Sequence, residues 1–384
     1  MASFASPMTP AELKYVLEAK TRDNGLTQSG ILQCWLQGII GTNMPLSMSN
    51  SAATLALQDA TIVGLDAEWY EHDSSLITEL GVCILDPRSI LKPSSTSTIG
   101  PSSVWDILAA LETHHVRIKP HAHLVNKDFC SGYPENFQFG STTFASIPTA
   151  QEMLRSIFLR HDEHAFPRPI IFIGHAVDND YEVLKQRFGI DVLSLGIIVS
   201  TLDTQTIAIE QSLSPMNRQI SLKNLLAHYG IQEQYLHNAG NDIVTTLITA
   251  LLMTHPTTSS PTPSTLAYAN LKPLLTASNT ASSPHHPSYG QLRFCTKCDS
   301  QLHTLRHCKV SMLHCEFCAG DPELVAQSHT HKTEKCVEGA RAKKARRTQN
   351  AVPCQWCVQS TDPKRYKGRE AYGHDNGECP FLEG

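Results

Sequence analysis

The chain has 384 residues, 41% hydrophobic and 17% charged, a globular composition with room for one sizeable core and one or two smaller modules. Its net charge of -5 carries no global nucleic-acid signature, but the charge is uneven: residues 291–384 hold 15 Lys+Arg against 11 Asp+Glu, leaving 16 against 25 elsewhere. Nine of the twelve cysteines follow residue 294, with Cys34, Cys83 and Cys130 scattered before it, which metal binding explains better than disulfides.

The opening MASFASPMTPAELKY lacks a basic start followed by an apolar run, so no secretory signal is expected. The thiols are then expected to stay reduced. GILQCWLQGII, the most apolar early run, is too short to span a bilayer. Together these features predict a soluble intracellular protein, cytoplasmic or nuclear, with no membrane partner.

Thr9-Pro10-Ala11-Glu12 has the form of a capping box with proline at the first helical position, which predicts a short helix over TPAELKYVLEAK within an extension reaching residue 58. Residues 61–85 read as two strands, TIVGLDAEW and SLITELGVCILD, around a polar loop with His72 and Asp73, and HVRIKP reads as a third. From about residue 150 the pattern alternates. TAQEMLRSIFL and DYEVLKQRFG read as helices, PIIFIGH and IIVSTLDTQTI as strands, and SLKNLLAHYG and NDIVTTLITALLMT as two further helices. Such alternation predicts an α/β sheet with covering helices. Residues 255–290, rich in Pro, Ser and Thr and almost uncharged, read as a flexible linker, and residues 291–384 as a separate cysteine-rich region.

Asp66 and Glu68 follow directly on an apolar run, and on a strand they project from one face ~7 Å apart. Two like charges there are unfavourable unless one is protonated or a cation lies between them. Two more places supply acids: GHAVDNDYEVL, where Asp180 opens a helix, and HNAGNDIVTTL, where His237 precedes Asp242 by five residues. Each has an ordinary explanation when taken singly. A strand end commonly meets solvent, an acid favours a helix N-terminus, and a lone histidine is more commonly a satisfied surface or core residue.

The three in order are more specific. DAEW, GHAVDND and HNAGND resemble the three motifs of DEDDh 3′-5′ exonucleases over residues 60–254, a family with a ribonuclease H-like fold of mixed sheet flanked by helices. E-L-G at 79–81 and LDTQ at 202–205 reinforce the resemblance, and HVRIKPHAHLVNKDF and ENFQFG are similar to a fungal branch, the "good for full activity" nuclease-like proteins. The resemblance implies that Asp66, Glu68, Asp180 and Asp242 ligate two Mg²⁺ or Mn²⁺ ions and that His237 is the general base, a set that suits hard cations and hydrolysis near neutral pH. It also implies substrate contacts at Trp69 and His175; Trp69 reads equally as a stacking face for a base and as a core residue. The family's usual Asn after Gly-His is Ala176 here, and Asp178 competes with Asp180, the distance from Gly174-His175 favouring Asp180.

After residue 290, three degenerate C-x2-C…H-x4-C patterns use all nine cysteines: Cys295, Cys298, His303 and Cys308; Cys315, Cys318, His331 and Cys336; Cys354, Cys357, His374 and Cys379. This spacing resembles zinc knuckles, with about three structural Zn²⁺ implied. A four-cysteine site from Cys295, Cys298, Cys315 and Cys318, or His329 in place of His331, stays open, and Asp299 and Leu302 stand where knuckles typically have glycine. Phe294, Phe317 and Trp356 beside the cysteine pairs read as faces for bases or as packing for small cores. RAKKARR at 341–347 reads as a phosphate contact, a nuclear import signal or a solvated helix face. The two resemblances together imply a metal-dependent 3′-5′ exonuclease acting on single-stranded nucleic acid, with RNA rather than DNA implied by the resemblance to zinc knuckles, and a zinc tail that grips substrate or docks a protein. The alternative is a nuclease-fold adaptor with little or no catalysis.

Overall fold

The computed structural model describes residues 8–40, 51–91, 101, 103–161, 166–214, 218–255, 264–280, 289–342, 355 and 359. Their backbone divides into two compact units: the first takes Met1–Glu68, Ile77–Lys119 and Cys130–Leu292, the second Trp69–Leu76, Pro120–Phe129 and Arg293–Gly384.

The first unit opens with helices α1 (Pro10–Asn24), α2 (Gln28–Ile40) and α3 (Ser51–Gln58). The capping box forms as its sequence dictates: Glu12 N–H donates to the Thr9 hydroxyl, Thr9 N–H to the Glu12 carboxylate, and Gly25 closes the helix at φ 65. These helices are more than an extension. Leu13, Leu17, Leu32 and Trp35 are buried in one core with Ile62, Ile171 and Val199, and the Trp35 indole N–H donates to the Ala60 carbonyl at 2.7 Å. GILQCWLQGII is therefore a buried helix.

Strands β1 (Thr61–Tyr70) and β2 (Asp73–Leu85) are followed by the short helices α4 (Pro87–Ile90) and α5 (Val104–Leu108), then by β3 (Glu112–Ile118), β4 (Thr142–Ala145), α6 (Ile147–Phe158), β5 (Ile170–Gly174), α7 (Val177–Phe188) and β6 (Ile198–Asp203). The six strands form one sheet in the order β4-β3-β2-β1-β5-β6. β1, β5 and β6 run parallel, β2 is antiparallel to β3, and β4 is parallel to β3. This is the expected ribonuclease H-like mixed sheet with one added edge strand. β5 is buried at every residue because helices cover both faces of its end of the sheet.

The remaining helices are α8 (Thr204–Glu210), α9 (Leu222–His228), α10 (Ala239–Thr254) and α11 (Ser264–Ser278). Two expectations need correction. IIVSTLDTQTI is a strand only as far as Asp203, whose side chain accepts the Gln205 N–H and starts α8. The expected linker contains α11, which buries Tyr268, Leu271 and Leu275, pairs Lys272 with Glu233 at 2.6 Å, and is followed by Asn279, whose amide donates to the Leu111 carbonyl and accepts from Thr113 N–H. Its Ser/Thr content and the internal Pro273 mask a buried stripe at helical spacing.

The second unit has little regular structure: besides the strand residues within 69–76, its described residues include α12 (Glu316–Ala319), a helical stretch over 337–342 and three single 3₁₀ turns. Its interior includes Cys315, Cys318 and Cys336, packed by Phe317 and Leu324, so sulfur atoms hold a place that aliphatic side chains fill in a larger domain. Among the described residues, no helix is long and apolar enough to cross a membrane.

Candidate active site

A Cβ built on Gly64 would lie 2.9 Å from Ile243 of α10. Gly64 therefore faces α10, and by strand alternation Asp66 and Glu68 face the same way. Asp180, in the first turn of α7 and 4% exposed, accepts the Ala67 N–H at 3.1 Å. Asp178 is exposed, so the burial of the two acids selects Asp180, as the sequence distance predicts. From α10 comes Asp242, whose Oδ2 accepts the His237 N–H at 2.9 Å. Ligand atoms of Glu68, His237 and Asp242 lie within 4.8 Å of one another. The fold thus gathers all five residues implied by the three motifs at the β1–α10 face.

His237 sits in the left-handed region at φ 63, just before the Asn238 cap of α10, and is exposed. Partial desolvation of its ring lowers its pKa below the ordinary 6.5. The acids behave in the opposite sense. Desolvation, then the charge of Glu79, raises Asp66 from 3.8 to about 7. Glu68, Asp180 and Asp242 are raised well above the ordinary range, first by desolvation and then by the charge of Asp66.

Two oxygens carry the chemistry of the site. Asp66 Oδ2 and Asp242 Oδ1 are buried and receive no hydrogen bond. A buried acceptor left without a donor costs roughly 1–3 kcal/mol, more when charged. Two such oxygens among four mutually repelling carboxylates fit divalent cations bound through oxygen, for which Asp66, Glu68, Asp180 and Asp242 are an all-oxygen donor set of the kind Mg²⁺ or Mn²⁺ takes.

His175 has a different setting. Its Nδ1 shares a 2.7 Å hydrogen bond with the Thr204 hydroxyl, and a hydrogen bond to the Ile220 backbone engages it further. Both hydrogen bonds tie the ring to the elements around the loop after β5. Asp203 holds that loop too, accepting the Ala176 and Val177 N–H groups at 3.2 Å. Ala176 itself is in the left-handed region, φ 58. Asparagine tolerates that conformation better than alanine, which gives the family's usual residue a backbone reason. Trp69 is half-buried and its carbonyl accepts the Asn126 amide at 2.8 Å.

Sequence reasoning noted E-L-G at 79–81 without assigning roles. Gly81 is where α10 meets the sheet: a Cβ there would fall 1.9 Å from the Ala239 carbonyl oxygen, and one on Gly240 would fall 2.6 Å from Phe137 and 2.9 Å from His115. The bare backbones allow the start of α10, and Asp242 with it, to press onto β2 and β3. Glu79, two residues earlier on the same face, is 4% exposed and pairs with His115 at 2.8 Å.

In the second unit, Cys295, Cys298, His303 and Cys308 form one group and Cys315, Cys318, His331 and Cys336 another, each with all ligand atoms within 4.8 Å. Cys298 Sγ lies 3.4 Å from His303 Nε2 and 3.8 Å from Cys308 Sγ, and Cys318 Sγ lies 3.6 Å from both His331 Nε2 and Cys336 Sγ. Tetrahedral zinc with Zn–S about 2.3 Å and Zn–N about 2.0–2.1 Å needs separations of about 3.6–3.8 Å. Each group fits one ion, with His331 and not His329, and the mixed four-cysteine pairing does not form. Cys354, Cys357, His374, Cys379 and Trp356 lie outside the described residues, as do residues 343–347. Asp299 occupies a left-handed position, φ 64, where a knuckle has glycine, and its carboxylate takes Lys332 at 2.8 Å and Lys335 at 3.0 Å. Phe294 is buried beneath Lys335, and Phe317 packs on the cysteines, so both serve the small core. Arg341, first of the basic run, is committed internally: its guanidinium meets Asp128 at 2.6 Å and His72 at 3.1 Å. It thereby fills the one other cluster of potential ligands, Glu71, His72 and Asp128, found among the described residues.

A family model described as "DNA polymerase III subunit epsilon-like, C-terminal domain" matches residues 61–253. An uncharacterised nucleolar protein of Schizosaccharomyces pombe is 30% identical over 185 residues, 46% of this chain and 62% of that one. "Good for full DBP5 activity protein 2" of Saccharomyces cerevisiae is 25% identical over 213 residues, 50% of this chain and 35% of that one. The chain therefore spans less than two thirds of the length of these curated relatives. Among solved structures, an E. coli ExoI–ssDNA complex matches with TM-score 0.30 and 15% identity over 51% of this chain and 41% of that one. The family match covers half of the chain and contains every acid of the site; the chain belongs to the DEDDh_C family, the DNA polymerase III subunit epsilon-like exonuclease group.

Proposed function

We propose that the chain is a metal-dependent nuclease that removes nucleotides from the 3′ end of single-stranded nucleic acid, RNA in preference to DNA. The observation that carries this reading is the pair of buried, donorless oxygens, Asp66 Oδ2 and Asp242 Oδ1, in a group of four acids whose pKa values burial raises. Asp66, Glu68, Asp180 and Asp242 hold two divalent ions. When bound, such ions lower the pKa of a water and stabilise the charge of the leaving oxygen.

The chain's own residues supply the rest. His237 has a lowered pKa and is neutral at pH 7, the form that accepts a proton from water. Its backbone N–H is tied to Asp242, so a change of position at one reaches the other. Asp180 is fixed by the Ala67 N–H, and Ala67 lies between Asp66 and Glu68; this hydrogen bond sets the α7 acid against the β1 pair. The two Cys/His groups, and the third set of ligands beyond the described residues, bind zinc and build a module that aids substrate binding.

The RNA preference is supported by the knuckle-like spacing and by the nucleolar label of the S. pombe relative, which also favours a nuclear location. Retention of all four acids and His237 disfavours the inactive-adaptor reading. The test incubates the full chain with 5′-labelled single-stranded RNA and DNA in Mg²⁺ or Mn²⁺ beside Asp66→Ala. Stepwise shortening of RNA, slower on DNA and lost in the variant, is expected. Equal traces from the two proteins contradict the assignment.

A further inference from the structure

One carboxylate is buried in the field of the four acids without belonging to their set. Glu79 of β2 shares its strand face with Gly81, which meets the Ala239 carbonyl, so Glu79 points toward the start of α10 as Asp66 and Glu68 do. Its charge acts on Asp66, Glu68 and Asp242. A fifth negative charge here opposes folding, and it would swing away from the others unless something held it.

His115 does so. Its side chain is fully buried, and Nε2 donates to Glu79 Oε2 at 2.8 Å. Nδ1 lies 2.8 Å from the Thr142 hydroxyl, a second hydrogen bond that fixes the orientation of the ring. The register explains the reach. His115 stands opposite both Gly81 on β2 and Thr142 on β4. Because Gly81 has no side chain, the imidazole lies along the strand to the acid two residues away. Phe137 closes the other side, its ring centroid 5.1 Å from that of His115.

We infer that Glu79, held by His115 and through it by Thr142, is a positioning residue that sets the affinity of the four-acid site for divalent cations. This rests on the metal reading of that site. Glu79 is buried and its charge acts on Asp66, Glu68 and Asp242, so it adds to the field that a cation meets at the four ligand side chains without being one of them. Partners one step behind metal ligands typically change metal affinity by about 10–100-fold when removed.

The test titrates the full chain with Mn²⁺ in the absence of substrate and reads binding directly by the loss of free-ion EPR signal. Glu79→Gln and His115→Leu are each expected to weaken binding by about 10–100-fold. His115→Gln, which keeps an N–H donor, is expected to stay close to wild type, and Thr142→Val to fall between them. Should Glu79→Gln or His115→Leu fail to fold, Thr142→Val, which leaves both charged partners in place, decides: wild-type affinity in that variant overturns the inference. Wild-type affinity in folded Glu79→Gln and His115→Leu overturns it equally, while leaving the four-acid site intact. If wild type itself binds no Mn²⁺, the metal reading and this inference fall together.

Discussion

The backbone N–H of His237 donates to Asp242 Oδ2 at 2.9 Å, across the turn that opens α10. The residue proposed as base is thereby tied to an acid whose other oxygen has no donor. His237→Ala is expected to lower the single-turnover rate of RNA shortening by about 10²–10⁴ with Mn²⁺ binding unchanged, since only the ring is removed. In wild type the rate should rise with pH through a value below 6.5, because the ring's pKa is lowered, and that acid limb should be missing from the variant. A variant that keeps the limb shows that another group takes the proton.

The acids predict a pH-dependent stability that metal reverses. Asp66 titrates at about 7 in the folded chain against 3.8 ordinarily, and Glu68, Asp180 and Asp242 are raised too. A carboxyl with a raised folded-state pKa contributes stability below its unfolded pKa and loses it as pH rises through the folded one. In EDTA, the melting temperature of the first unit should therefore fall between about pH 4 and pH 7. Mg²⁺ binds only the folded chain and should restore it, increasingly so at higher pH. Asp66→Asn should flatten the EDTA curve. A melting temperature independent of pH in EDTA contradicts the burial of these groups.

Ala176 adopts φ 58 while its N–H donates to Asp203. Glycine keeps that N–H and removes the Cβ strain, so Ala176→Gly is expected to stabilise the first unit by about 1 kcal/mol, a rise of about 2–4 °C in melting temperature. Gly81→Ala is the converse, placing a Cβ 1.9 Å from the Ala239 carbonyl oxygen. A loss of about 1–3 kcal/mol is expected, with α10 displaced. Differential scanning calorimetry reads both; equal melting temperatures for the two variants contradict the seating of α10.

For the second unit, plasma emission analysis of the purified chain should find about three zinc ions, two of them from the groups within residues 295–336. Cys298→Ser and Cys318→Ser should each remove one, and with it the order of the surrounding turns. Zinc content unchanged by either substitution contradicts the grouping.

What was legible in the sequence was local or carried by fixed spacing. The capping box of α1, the acids of the three motifs and the partition of Cys295 to Cys336 into two groups depend on residues that signal their own geometry. What was hidden depends on partners far along the chain. Gly81 and Glu79 acquire meaning only when α10, some 160 residues later, lies across them. α11 escaped because serine, threonine and Pro273 dilute its apolar stripe, and α8 because Asp203 ends a strand and caps a helix in one residue. The hydrogen bond between His175 and Thr204 was hidden for the same reason, its two partners lying on separate elements.

The central claim is that Asp66 Oδ2 and Asp242 Oδ1 lack donors because both belong to one centre for two divalent ions. Low-temperature EPR of the full chain loaded with Mn²⁺ tests it most directly. The account predicts a spin-coupled pair of manganese ions in wild type, lost in Asp66→Asn and in Asp242→Asn alike. A signal from isolated ions only, or a coupled pair that survives both substitutions, contradicts it.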